Sequence, residues 1–257
     1  MAEDALPRTP SFRLDGRRTL ITGAGRGIGR AAAAALAEAG AHVVLASRSS
    51  AELEALAGAI REAGGSAEPL VLDVCDVAAT QAALAAQPPF RILVNNAGTN
   101  RPAPFLEVTL QDYDAITDLN VRAAFFVAQG VARGMVEAGL RGSIINISSQ
   151  MGHVGGETRT VYCATKHALE GLTKAMALDL APHGIRVNTL CPTFVRTPMT
   201  APFFANPEFR ARTLARIPLG RLGEVEDFMG AIVFLASDAS SLMTGTSLTV
   251  DGGWTAH

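Results

Sequence analysis

Seven short apolar runs punctuate this chain, at 18–22, 43–45, 70–72, 92–94, 144–147, 185–190 and 247–250. They are largely continuous rather than alternating apolar with polar residues, the pattern of strands buried on both faces. Stretches of helical length separate them, at 27–39, 50–63, 77–86, 109–138 (mostly helical), 160–181 and 224–236. Gly40, Gly64-Gly65 and Gly184 supply helix-ending residues. Strand and helix in alternation predict an α/β fold: a doubly wound parallel β-sheet with helices on both faces. No break in composition divides the chain, so one domain is expected over 12–257, after a disordered or loosely packed arm at 1–11. Residues 192–222 are rich in Pro, Phe and Arg without periodicity. They are long for a structureless loop; such segments are usually functional lids or partly helical, and this one is expected to be a substrate-binding loop or lid.

Composition narrows the function classes. The chain's 257 residues can bury a large core. With 48% hydrophobic and 18% charged residues and a formal charge of −2, nothing draws it to nucleic acid or an anionic membrane. Met1 to Pro10 carries Glu3 and Asp4 and has no apolar core, so no signal peptide is read and a cytoplasmic enzyme is expected. Cys75, Cys163 and Cys191 show no CxxC spacing, which argues against a zinc site or disulfide framework and suits a reducing compartment. Of 22 basic residues only Lys166 and Lys174 are lysine. Either coding bias has replaced lysine wherever any cation serves, or the two survivors stand where a guanidinium fails.

Two motifs carry chemistry. Thr22-Gly23-Ala24-Gly25-Arg26-Gly27-Ile28-Gly29 follows the first strand and opens the first helix. Glycines let backbone approach a pyrophosphate, and the helix N-terminus offers free N–H groups. In strand–turn–helix context this is the nucleotide-binding turn of a Rossmann-type fold. The second motif is Tyr162-Cys163-Ala164-Thr165-Lys166, whose ends share one helix face. A phenol titrates near ~10, and a neighbouring ammonium favours the phenolate, so the pair can serve as an acid/base unit.

With these residues the chain resembles the short-chain dehydrogenase/reductase family, in its single-domain form of roughly 250 residues, across about residues 14–255. The likeness rests on the 22–29 string, Asn95-Asn96-Ala97-Gly98, Asn120, Ser149 and the Tyr162/Lys166 pair, in the family's order. Tyr162 lies thirteen residues after Ser149, the family's spacing, which selects Ser149 over Ser148. The resemblance implies that Tyr162 is the general acid/base and that Lys166 holds the nicotinamide ribose and depresses the phenol. It makes Ser149 the hydrogen-bond partner of the substrate oxygen and has Asn120 help order a relay water.

For the cofactor it implies Gly23, Arg26, Gly27, Ile28 and Gly29 at the pyrophosphate, Ser47 and Arg48 at the ribose end, and Asp73 and Val74 at the adenine. Asn96, Ala97 and Gly98 would form the floor, with Tyr162, Lys166, Pro192, Val195 and Thr197 at the nicotinamide. A capping role for Asp73 and a plain turn at 95–98 stay open. In place of a carboxylate at the end of the second strand, the chain has Ser47-Arg48. A carboxylate there would repel a 2′-phosphate, so NADP is expected, NAD being the alternative; Arg26 agrees, and solvated loop arginines are the other reading. Thr193 stands where relatives often have glycine, and with Ser149, Gln150 and His153 it is a candidate for the substrate pocket; His153 and Gln150 can equally be structural.

The expected reaction interconverts a secondary alcohol and a ketone on a small molecule: a sugar acid, polyol or cyclic ketone. A carrier-protein thioester reductase is the runner-up, but the arginines that dock the carrier in such relatives fall near Leu140 and His183 here, with Arg141 alongside. A catalytically silent regulatory protein would show a damaged serine, tyrosine or lysine, and an epimerase or dehydratase of the longer relatives a different glycine spacing and a second domain. No metal is expected. The family also implies a homotetramer paired through helices 109–138 and 160–181, where Ala123, Ala124, Ala128, Ala168, Gly171 and Ala175 would permit close approach.

Overall fold

In the computed structural model, which describes residues 6–256, the apolar runs become seven parallel strands. They are β1 (Arg18–Thr22), β2 (His42–Ser47), β3 (Ser66–Val71), β4 (Ile92–Asn95), β5 (Gly142–Ile147), β6 (Ile185–Pro192) and β7 (Ser247–Val250). Their spatial order is β3-β2-β1-β4-β5-β6-β7, so the chain winds outward from β1 in one direction and then from β4 in the other. Thr19 pairs with Val43 on one side and Ile92 on the other, which sets the central register. Consecutive side chains point to opposite faces. Ile21, Val43, Leu45, Val94 and Ile145 meet α1 (Gly27–Glu38), α2 (Ser50–Glu62) and α9 (Glu226–Ala236). Leu20, Val44, Leu93 and Ile144 meet α3 (Val77–Ala85), α5 (Ala124–Glu137) and α6 (Thr160–Leu180). The remaining helices are α4 (Leu110–Thr117), α7 (Ala201–Phe204) and α8 (Pro207–Ala215).

The doubly wound sheet agrees with the sequence; several boundaries do not. β3 starts at Ser66 rather than Leu70 and contains Pro69, which is tolerated because β3 is an edge strand and one of its sides needs no ladder donors. β6 continues two residues past Leu190. The helix expected over 109–138 is interrupted: α4 passes into a π-helical turn at Asp118–Ala123 before α5 begins. The 192–222 segment carries α7 and α8. Residues 6–11 of the expected arm are irregular and exposed, while residues 1–5 lie outside the described residues. Ala123, Ala124 and Ala128 are buried against the chain's own sheet, not offered to a partner, whereas Ala168, Gly171 and Ala175 stand exposed on α6. Among the described residues no helix is long and apolar enough to cross a membrane.

Candidate active site

The glycine turn and the C-terminal ends of β1, β2 and β4 border a cleft of about 450 Å³. The turn is shaped by what its glycines lack. A Cβ on Gly23 would come within 2.9 Å of Asn96 Nδ2, and one on Gly25 would overlap the Glu52 carboxylate. Asn96 braces the turn from below, donating from Nδ2 to the Thr22 and Gly23 carbonyls at 2.9 and 3.1 Å. The Thr22 hydroxyl accepts from the N–H groups of Asn96 and Ala97, both at 3.0 Å. A bare, braced backbone ahead of a helix N-terminus is what a dinucleotide's pyrophosphate needs.

Most of the expected cofactor residues line this cleft: Gly23, Arg26, Gly27, Ile28, Ser47, Arg48, Asp73, Val74, Asn96, Ala97, Gly98 and Thr197. Arg26 and Arg48 are exposed at its ribose end, and the Ser49 hydroxyl caps α2 by accepting from the Glu52 N–H. Asp73 lines the cleft and also accepts from the Cys75 N–H at 3.0 Å, so its side chain helps to shape the loop after β3. Gly29 is different. A Cβ there would overlap the Gly23 carbonyl oxygen, so its role is close packing of helix on strand rather than contact with the cleft. Pro192 and Val195 do not line the cleft either; Val195 is a core residue. Glu52, Ser49 and Cys75, which do line it, went unread because only the fold brings them there.

Next to the cleft, β5, the π-turn and α6 assemble the second motif. Lys166 is buried, and its Nζ donates to the Ile147 carbonyl at 2.8 Å while lying 5.5 Å from the Tyr162 ring centre. Asn120 Oδ1 accepts from the Thr99 N–H at 2.8 Å, and its Nδ2 donates to the Thr99 carbonyl at 2.9 Å and to Thr165 Oγ1 at 3.1 Å. The π-turn is thus tied to both the loop after β4 and α6; such bulges often sit at functional sites. Ser149 Oγ donates to Gln150 Oε1 at 2.7 Å and accepts from the Met151 N–H at 3.1 Å. So the expected quartet of Asn120, Ser149, Tyr162 and Lys166 does come together.

The electrostatics depart from expectation. Burial pushes the Tyr162 phenol up to about 12; the neighbouring Ser149 hydroxyl pulls against it, and the cation that assists is Arg159, not Lys166. Burial also brings Lys166 down to about 8, with the Glu170 carboxylate pulling the other way. With its pKa raised in this way, the phenol holds its proton at neutral pH and is an acid rather than a preformed base.

Arg159 was not singled out by the sequence. It is buried at the start of α6, and its guanidinium stacks 5.3 Å from the ring centres of Phe203 and Phe209 and 5.7 Å from that of Phe194. These rings belong to the 192–222 segment, which closes over Tyr162 through a cluster of Met151, Phe194, Ile217 and Leu222. Of the other candidates, Gln150 is buried against Ser149, and the Thr193 hydroxyl is buried without a hydrogen-bond partner among the described residues. The His153 ring turns to Cys191 rather than into the cleft.

Comparison with known proteins agrees with this site. A family model described as Enoyl-(Acyl carrier protein) reductase matches residues 23–255. D-erythrulose reductase of Gallus gallus is 49% identical over 95% of this chain and 98% of its own. The crystal structure of a short-chain type dehydrogenase/reductase from Mycobacterium marinum superposes with a TM-score of 0.92 at 41% identity, covering 96% of this chain and 98% of that one. A gluconate 5-dehydrogenase from Burkholderia cenocepacia, in complex with NADP and tartrate, has a TM-score of 0.92 at 42% identity, with the same two coverages. Motif order, fold and near-complete coverage converge, and the chain belongs to the short-chain dehydrogenase/reductase family of alcohol/ketone oxidoreductases.

Proposed function

We propose that this enzyme uses NADP to interconvert a secondary alcohol and a ketone on a small polyhydroxylated substrate that carries a carboxylate. When bound, the nicotinamide supplies or accepts the hydride; the chain's own residues handle orientation and the proton. Ser149 gives up its bond to Gln150 and donates to the substrate oxygen, stabilising charge that develops there. Tyr162 delivers the proton to that oxygen in reduction and removes it in oxidation. Lys166 holds the ribose and steadies the phenol. Asn120 has both amide hydrogens engaged, so only a lone pair on Oδ1 is left to help order a water.

The observation that carries the substrate class is Arg159. A buried guanidinium is normally paired, yet among the described residues Arg159 has no carboxylate partner and donates only to the Glu157 carbonyl and the Thr158 hydroxyl. Thr158 beside it is the one non-glycine residue among those described with a left-handed φ, 61°, a conformation costing about 1–3 kcal/mol that clusters at ligand clamps. A carboxylate on the substrate would complete the pair beside Tyr162. Arg159→Leu is expected to raise KM for an aldonic acid or its keto form by about 10–100-fold, the worth of a charge-assisted hydrogen bond, with kcat less affected. KM for a neutral ketose should move far less; equal losses on both would reject the assignment.

The cofactor preference rests on Arg26 and Arg48, two exposed guanidinium groups at the ribose end where a strand-end carboxylate would exclude a phosphate. Arg48→Ala is expected to weaken NADPH by roughly 10–100-fold, less if the contact stays solvated, and NADH by little. Equal weakening by isothermal titration, or a parent enzyme that prefers NADH, would show that Arg48 does not read the 2′-phosphate.

A second reading has one observation behind it. Arg17, Arg91, Arg141 and Arg186 border a polar pocket of about 280 Å³ at the N-terminal end of the sheet, which suits an acidic carrier protein. Preference for an acetoacetyl carrier thioester over free keto acids would favour it. We also read the exposed Leu178 on α6 and Phe125 on α5 as subunit contacts of the homotetramer.

A further inference from the structure

We propose that His153, Glu170 and Cys191 form a divalent-metal site, suited to Zn²⁺, on the wall behind the Tyr162–Lys166 pair. Nothing in their spacing announces it. His153 follows the short 3-10 turn after β5, Glu170 lies one helical turn beyond Lys166 on α6, and Cys191 is on β6. The fold aims one donor atom of each at a common point. Cys191 Sγ is 3.4 Å from His153 Nε2 and 3.4 Å from Glu170 Oε1, and Nε2 and Oε1 are 3.8 Å apart. Around a tetrahedral zinc with ordinary bonds to sulfur, nitrogen and oxygen, such atoms stand about 3.3–3.6 Å from one another. Only the half-exposed imidazole would have to move, and by about half an ångström, to reach that geometry.

Two other readings account for less. A Cys–His–Glu nucleophilic relay needs the carboxylate on the far ring nitrogen, whereas here thiol and carboxylate both face Nε2. A hydrogen-bonded cluster accounts for the thiol and for Glu170 Oε2 but not for the approach of Nε2 to Oε1, which at 3.8 Å is too long for a hydrogen bond. The carboxylate is oriented as a metal ligand would be. Its Oε2 is filled by the Thr189 hydroxyl at 2.9 Å and the Ser247 hydroxyl at 2.5 Å, which turns Oε1 toward the other two donors.

An independent observation concerns the fourth position. Ser148 is buried next to Cys191, its Oγ makes no hydrogen bond to nitrogen or oxygen among the described residues, and it faces the Cys191 thiol. That hydroxyl, or a water entering past His153, can complete the coordination. Thiol and imidazole together select zinc over magnesium or calcium. On binding, the ion forms a bond to Sγ and the thiol proton leaves to solvent, with the imidazole neutral. The ion would tie the turn bearing Ser149 to the strand that leads into the lid.

Cobalt is the probe, used on the full chain by equilibrium dialysis with elemental analysis and absorption spectroscopy. The expected result is one Co²⁺ per chain, four-coordinate visible bands and a thiolate-to-cobalt charge-transfer band, all displaced by Zn²⁺. Cys191→Ser should abolish the charge-transfer band, and His153→Ala should cost at least the ~10–100-fold typical of losing an outer-sphere partner. Zn²⁺ should raise the unfolding temperature of the parent and not of Cys191→Ser, which also reports whether the variants fold. Absence of a thiolate band in the parent would overturn the site. So would a band that survives in Cys191→Ser, since it would then belong to Cys75 or Cys163.

Discussion

Tyr162→Phe is expected to lower kcat by about 10²–10⁴-fold, the usual contribution of a positioned general acid, with the fold and cofactor affinity retained. Only a hydroxyl is removed, from a ring half-buried among Met151, Phe194 and neighbouring residues of the 192–222 segment, so packing survives. The direction of the pH effect follows from the phenol's state. Burial places it at about 12 against the pull of Ser149, so at neutral pH it carries the proton that ketone reduction consumes. Alcohol oxidation needs the phenolate and should speed up as pH rises; reduction should stay level until the proton is lost. Bound cofactor, by holding Lys166 in its charged form close to the ring, would draw the phenol down and bring both limbs within reach. Single-turnover rates in both directions across pH, for parent and variant, test this. Activity of the variant within a few-fold of the parent would remove Tyr162 from the mechanism.

The parts of this protein legible in the sequence are those fixed by local chemistry. The parallel sheet follows from continuous apolar runs, and the glycine turn from residues whose missing side chains matter within a few positions. The π-turn was not legible, because Asp118-Leu119-Asn120-Val121-Arg122-Ala123 has nothing un-helical in its composition. Part of what holds the turn is Asn120 binding Thr99, twenty-one residues away. Arg159 is hidden in the sequence for a similar reason. In a chain rich in arginine a lone guanidinium looks solvated, and only the folded 192–222 segment wraps three rings around it. Gly29 shows the converse: spacing reports that a glycine is required and not which atom would collide, and here that atom is the Gly23 carbonyl oxygen.

Lys166→Arg is the sharper test of the site, because it keeps the charge and changes only shape. Lys166 is 5% exposed, with Nζ committed to the Ile147 carbonyl at 2.8 Å. A Cβ built on Gly98 would already stand 3.9 Å from Nζ, so the loop after β4 closes the other side. A planar guanidinium must displace one of these walls. Overpacking of this kind costs about 1–3 kcal/mol of stability, and a shift of ~1 Å in a group that holds the reacting ring costs about 10²-fold in rate. Burial also brings the lysine down to about 8, a tunability that arginine lacks. Lys174 is the built-in control: it is exposed on the same helix, and Lys174→Arg should change stability by no more than about 0.5 kcal/mol and leave kcat/KM unchanged. Loss of kcat/KM at 166 alone would mean that one of the two surviving lysines stands where a guanidinium fails. If both variants work like the parent, coding bias explains both lysines, and the ribose-holding role at 166 fails with it.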